Sequence, residues 1–293
     1  MILHLESQLL KREKLGNLRH LQLPKELIDF SSNDYLGLAR SSVLKASVMD
    51  EWRAFQSPLN GLGSTGSRLL TGNGTYAQDL EKKIAKFQGV EAGLLFNCGY
   101  MANVGLLSII SSCNNSIFFD SAIHASTYEG LRLAKAKAFP FRHNDLEHLR
   151  KRLKNCSALG NRFICIESIY STDGSKAPLK EICQLANTYE AKVIVDEAHA
   201  IGACGPLGKG LVEETNLTSE VFAQVLTFGK ALGTYGAIVL GSHALKHALI
   251  NFSTSYIYTT ALPFLSLAAI HCSYDLFPKL EEKREHLQKL IQM

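Results

Sequence analysis

The sequence predicts a three-layer α/β/α domain built on a mostly parallel sheet of about seven strands. Three observations predict it. Short continuous apolar runs recur at 93–96, 116–119, 136–141, 162–167, 192–196, 224–228 and 236–240, as expected of strands covered on both faces. Amphipathic helical patterns at 100–111, 125–135, 144–154 and 178–190 alternate with them, which is the signature of a layered α/β sheet. The residues best suited to chemistry fall where those strands end, and ligand sites of such sheets lie at the carboxyl ends of the strands.

Composition narrows the class of protein. Apolar residues make up 46% and charged residues 20% of the 293, an ordinary balance for a globular enzyme. The net charge is +4 without a dense Lys/Arg tract, which argues against nucleic-acid binding. No apolar run is long enough to span a bilayer. The start, Met-Ile-Leu-His-Leu-Glu-Ser, lacks a basic segment followed by an apolar one, so no secretory signal and a cytoplasmic location are expected. Seven scattered cysteines without Cys-x-x-Cys spacing read as reduced thiols rather than a disulfide frame or zinc site.

In chain order, residues 5–20 carry Leu5, Leu9, Leu10, Leu15 and Leu18 among basic residues and predict an amphipathic helix. Phe30-Ser-Ser-Asn-Asp-Tyr-Leu-Gly-Leu38 predicts a pinned loop. Residues 57–75, which include Asn60, are glycine-rich; the embedded Arg68, Leu69 and Leu70 argue for a loop packed near a site. Helical periodicity follows at 76–88. After the last strand come a helix at 243–252, an extended stretch over 255–263 that turns into a helix, and a charged amphipathic helix over the last twenty or so residues. The expected divisions are an N-terminal helix and loop over 1–45, a cofactor-binding major domain over 46–255, and a C-terminal segment over 256–293.

Val225-Leu-Thr-Phe-Gly-Lys-Ala-Leu-Gly-Thr-Tyr-Gly236 is the most informative stretch. A lysine between small residues at a strand end loses charge on burial and becomes a nucleophilic amine, the requirement for a Schiff base. A surface lysine in a glycine-rich turn has the same local sequence. Val193-Ile-Val-Asp-Glu-Ala-His199 ends a strand in Asp196. A buried carboxylate needs a partner, either a protonated ring nitrogen or the N–H groups of a helix it caps. A metal pairing of Asp196 with His199 finds no further ligand cluster. His124, at a loop-to-helix junction, suits a structural role or stacking on a flat ligand. Asn97-Cys-Gly-Tyr-Met-Ala-Asn103 leaves a strand and opens a helix, where free N–H groups beside Gly99 favour a single phosphate. It is neither a dinucleotide fingerprint nor a Walker motif. Glu167-Ser-Ile-Tyr-Ser171 offers hydroxyl donors at another strand end. Lysine, carboxylate, imidazole, hydroxyls and phosphate pocket together match pyridoxal 5′-phosphate.

The chain also resembles the α-oxoamine synthases, pyridoxal-phosphate enzymes of fold type I. The resemblance rests on Phe30-Ser-Ser-Asn-Asp-Tyr-Leu-Gly-Leu, Gly63-Ser-Thr-Gly-Ser-Arg-Leu-Leu-Thr-Gly-Asn, Asp120-Ser-Ala-Ile-His-Ala-Ser, Glu167-Ser-Ile-Tyr-Ser-Thr-Asp-Gly, Asp196-Glu-Ala-His, Thr227-Phe-Gly-Lys and Tyr256-Ile-Tyr-Thr-Thr-Ala-Leu-Pro, in family order. It implies that Lys230 holds the cofactor as a Schiff base and moves protons, that Asp196 pairs with the ring nitrogen, and that His124 stacks on the ring. It places His199 and Ser171 on the phenolic oxygen side, and Thr227 with the backbone of Gly99 and Tyr100 on the phosphate. It implies a homodimer in which Thr259 and Thr260 reach the neighbour's phosphate, with Asn33 and Arg19 near the substrates. The implied reaction is a decarboxylating condensation of L-alanine with a pimeloyl thioester, carried by CoA or acyl carrier protein. The nearest rival is glycine with acetyl-CoA. A weakly active cofactor-binding subunit is the reading from a different class. Cys98 stands where serine is usual and Lys209 where arginine is common. The family normally continues into a small C-terminal domain that supplies an arginine for the amino acid's carboxylate. No counterpart follows Met293, so the resemblance predicts a complete cofactor constellation with an incomplete substrate clamp.

Overall fold

A computed structural model describes residues 2–21, 28–55, 61–110, 114–156 and 159–293. Asn60 of the glycine-rich loop and Cys113 lie outside the described residues. The chain divides into two compact units, residues 1–32 and 33–293. In the first, α1 spans Ile2–Lys14, shorter than the expected 5–20. The helix ends because the chain turns at Gly16, whose φ of 65° is in the left-handed region that glycine reaches without Cβ strain. Lys11, Arg12 and Lys14 sit in its last turn, where cations complement the helix dipole.

The second unit carries the α/β/α fold. Its first elements are α2 (Ser42–Ala54), α3 (Thr75–Gln88), β1 (Ala92–Phe96), α4 (Gly99–Ile109), β2 (Ser116–Asp120), α5 (Ala125–Leu133) and β3 (Lys137–Phe141). There follow α6 (Leu146–Lys154), β4 (Arg162–Glu167), α7 (Leu179–Thr188), β5 (Ala191–Asp196), α8 (Leu211–Glu214), β6 (Val221–Thr227) and β7 (Ala237–Gly241). The last are α9 (His243–Phe252), α10 (Thr254–Ile257), α11 (Phe264–Leu276) and α12 (Glu281–Ile291). The seven strands form one sheet in the order β1-β7-β6-β5-β4-β2-β3. Six share one direction; β7 runs against its neighbours β6 and β1. The short turn after β6 dictates this, because a parallel neighbour needs a crossover of a dozen or more residues.

The sheet is covered on both faces. Leu94 and Phe96 of β1, Val225 of β6 and Val239 of β7 belong to one buried cluster. Leu95, Leu226, Ile238 and Leu240, which alternate with them, belong to the second. Strand alternation sends successive side chains to opposite faces, so one run of apolar residues serves two cores. The edge strand β3 is the exception, with Lys137, Ala138 and Pro140 exposed.

Three local expectations change. The 255–263 stretch is not extended at its start, because Thr254–Ile257 form the single-turn α10 under the Ser253 N-cap. It becomes extended only at Thr260, which bridges Ser67. Helix α2 went unread, since its polar face dominates the pattern and only Leu44 is buried. The C-terminal helical region is two helices, the apolar α11 and the charged α12, joined by a tight turn over Phe277–Lys279.

Candidate active site

The carboxyl ends of the parallel strands converge on a cavity of about 140 Å³ lined by Gly99, Tyr100, Asn103, His124, Ser126, Glu167, Asp196, Ala198, His199, Thr227 and Lys230. β4 delivers Glu167, β5 delivers Asp196 and β6 delivers Thr227, each as its last residue. Lys230 sits in the turn between the antiparallel strands β6 and β7. That turn is closed by Gly233 N–H donating to the Lys230 carbonyl at 2.9 Å and Thr234 N–H to that of Phe228 at 2.9 Å.

Asp196 is buried, and both its oxygens are engaged. Oδ2 accepts from Asn103 Nδ2 at 2.7 Å and Oδ1 from the Ala198 N–H at 2.9 Å. No helix follows it, so the helix-capping alternative is set aside. Its carboxylate lines the cavity. Asn103 also donates to Ser126 Oγ at 3.0 Å. Ser126 lies 2.7 Å from His124 Nδ1, which accepts the Ser126 N–H at 3.2 Å as well. Two donors on Nδ1 put the imidazole proton on Nε2. His124 is the N-cap of α5, which holds its exposed ring at the cavity wall, an orientation a stacking residue requires.

The lysine is held by a relay. Lys230 Nζ lies 2.7 Å from His199 Nε2, and His199 Nδ1 lies 2.7 Å from the Tyr35 hydroxyl. Tyr35 donates to Asn33 Oδ1 at 3.1 Å. One phenolic proton cannot serve both neighbours, so His199 carries its proton on Nδ1 and presents Nε2 as the acceptor for Lys230. Burial, then the Lys230 charge, pushes His199 down to about 4. Burial also lowers Lys230, opposed by Asp196 and Glu167. The relay therefore ends on an amine that has been shifted toward its nucleophilic form.

The anion pocket is a close approach of backbone to side chain. A Cβ built on Gly99 would stand 2.5 Å from Thr227 Oγ1, so only glycine lets the start of α4 lie against that hydroxyl. A helix start leaves its first N–H groups without partners inside the helix, and they face negative charge favourably. A flat ring with an acid nitrogen, an aldehyde and one phosphate fits this donor set.

Of the twelve residues named from sequence, Gly99, Tyr100, His124, Asp196, His199, Thr227 and Lys230 line the cavity, and Asn33 joins through Tyr35. Ser171 does not line it. It is exposed in the turn after β4, where its backbone bonds the Glu167 carboxylate. Thr259 caps its own turn by donating to the Ser255 carbonyl at 2.8 Å, and the Thr260 carbonyl accepts from Asn97 Nδ2 at 2.8 Å; neither lines this chain's cavity. Arg19 stands exposed in the unit of residues 1–32. Tyr35, Asn103, Ser126 and Glu167 were not read as site residues. Asn103 was legible as the one amide in an apolar helix, a turn beyond Gly99 and so on its face. Tyr35 had no local signal, because the loop reaches His199 across 164 residues.

A family model for aminotransferase class I and II matches residues 25–293. The 8-amino-7-oxononanoate synthase of Emericella nidulans is 42% identical over 291 residues, covering 95% of this chain and 70% of that protein. Among solved structures, the 8-amino-7-oxononanoate synthase of Francisella tularensis superposes with a TM-score of 0.76 at 31% identity, covering 91% of this chain and 74% of that one. Serine palmitoyltransferase of S. paucimobilis, solved with a PLP–myriocin aldimine, superposes with a TM-score of 0.86 at 29% identity, covering 98% and 74%.

Proposed function

This chain belongs to the class I and II aminotransferase family and is a pyridoxal-phosphate-dependent acyltransferase of the α-oxoamine synthase type, and on that premise we propose that it condenses L-alanine with a pimeloyl thioester. Carbon dioxide and the free thiol leave, and 8-amino-7-oxononanoate is the product. The observation that carries the reading is the Lys230–His199 contact of 2.7 Å in one cavity with the doubly bonded Asp196.

Pyridoxal phosphate, when bound, supplies an electrophilic aldehyde and a ring that takes up the electron pair left when a proton or carboxylate departs. The chain does the rest. Asp196 offers a fixed negative charge to the ring nitrogen. His124 would pack against the ring, and the N–H groups of Gly99 and Tyr100 with the Thr227 hydroxyl would hold the phosphate. Lys230 would supply the nucleophilic amine for the aldehyde and the base for the amino acid's α-proton. His199 orients Lys230, and Tyr35 and Asn33 hold His199 in the tautomer that can do so. Asn33 would lie toward the amino acid and acyl substrates. Ser171 serves the phenolic oxygen side through its turn. In a homodimer, Thr259 and Thr260 complete the neighbouring subunit's phosphate pocket.

Serine palmitoyltransferase chemistry is the second reading, favoured by the TM-score of 0.86 against its structure. Absorbance of the cofactor-loaded protein, titrated with alanine, glycine and serine, separates the alternatives. A spectral shift saturating with alanine alone supports the proposal; a response to serine or glycine alone replaces it. Lys230→Ala should abolish the borohydride-trapped cofactor adduct, and an adduct mapped to another lysine would overturn the assignment of the nucleophile.

A further inference from the structure

Glu167 lies in the cavity without a role in the reading above, and its placement is specific. It is the register partner of Asp196 on the adjacent parallel strand, so two carboxylates leave neighbouring strand ends side by side. It is buried, and its Oε1 accepts the backbone N–H of His124. Among the described residues no cation forms a salt bridge with it. The groups that face it are Asp196 from β5, His124 from the start of α5, Lys230 from the turn after β6 and Tyr170 from its own turn. His199 lines the same cavity. Asp196 accepts from the Asn103 side chain and the Ala198 N–H, and Glu167 accepts only from the backbone of His124 and Ser171. Two adjacent buried carboxylates cannot both stay charged cheaply, so a proton entering this pair goes to Glu167.

We propose that Glu167 is the proton partner of Lys230: it takes up the charge that the lysine gives up when it becomes a nucleophilic amine. The step is Lys230 ammonium plus Glu167 carboxylate going to Lys230 amine plus Glu167 carboxylic acid. One N–H bond breaks, one O–H bond forms, and the net charge of the cavity is unchanged. The burial of Glu167 favours such an exchange, because it removes one buried ionic pair without changing the net charge of the site. Consistent with it, burial first and then Asp196 push Glu167 up to about 7, while burial lowers Lys230. Glu167 is a positioning and proton-balancing residue; it acts through Lys230.

The inference rests on Lys230 being the cofactor's nucleophile, and its test separates the two. The full chain, stripped of cofactor, is labelled with pyridoxal phosphate and cyanoborohydride across pH 5–10, and the adduct is mapped by peptide sequencing. Glu167→Gln keeps an oxygen that can accept the His124 N–H but cannot take the proton. Its labelling midpoint at Lys230 should move about one pH unit toward acid, since a nearby negative charge no longer stabilises the ammonium. Glu167→Asp, which keeps the charge, should retain the wild-type midpoint. An unchanged midpoint in Glu167→Gln, or the same shift in Glu167→Asp, overturns the inference. Wild-type label mapped away from Lys230 overturns the cofactor reading instead.

Discussion

His199 shows at the scale of one residue how burial sets chemistry. Its two ring nitrogens are spoken for by Lys230 and Tyr35, and its neutral form is enforced by burial and by the lysine's charge. The same shift has a consequence for stability. The folded value near 4 lies below the ordinary 6.5, so between those values the unfolded chain binds a proton that the folded chain refuses. Stability should therefore fall as pH drops from 6.5 toward 4. His199→Gln should remove that part of the loss, about 1 kcal/mol at pH 5 after allowing for solvent screening of a partly exposed ring. Urea unfolding of both proteins at pH 7 and pH 5 measures it, and an equal loss in the variant would refute it.

At the scale of elements, buried ionic contacts lock helices to the sheet. Glu81 of α3, 1% exposed, receives Arg68 at 2.8 Å, Lys246 of α9 at 2.7 Å and the Leu95 N–H of β1 at 3.1 Å. The glycine-rich loop, two helices and the edge strand thus meet on one carboxylate. Removing it strands the mostly buried Arg68, whereas Lys246 is exposed enough to turn to water. Glu81→Ala should cost about 3 kcal/mol, and Lys246→Ala under about 1 kcal/mol. Comparable unfolding midpoints for the two variants would show that Arg68 needs no partner. A second joint combines an ion pair, Arg284 with Glu281 at 2.6 Å, with backbone acceptors. Arg284 of α12, 3% exposed, donates to the Phe277 carbonyl at 2.7 Å and the Pro278 carbonyl at 2.9 Å, closing the end of α11. The turn after β4 is tied down in the same way. Fully buried Asp120 accepts from the Ala122 and Asn144 N–H groups and from His143, whose other nitrogen meets Ser175 Oγ at 2.8 Å.

At the scale of the whole molecule, Thr259 and Thr260 stand apart from the cavity of their own chain, which is the position expected of residues that complete a neighbour's site. If they do so, a Lys230→Ala chain and a Thr259→Ala/Thr260→Ala chain should complement each other. Each inactive alone, they form one intact site per mixed dimer when co-expressed, and turnover should reappear; continued silence of a purified mixed dimer would sink the shared site. The sequence alone was enough for the alternation of strands and helices, the seven strand positions and seven of the residues that line the cavity. Those signals are local: apolar runs, capping glycines, a lysine or aspartate at a strand end. It left open whether Asp196 capped a helix, and it passed over Tyr35, Asn103 and Glu167. Those questions turn on which side chains meet across the sheet, and chain neighbours carry no record of that. Only the tertiary structure decided them, because the register of β4 on β5 sets Glu167 beside Asp196, and the loop at Tyr35 closes on His199.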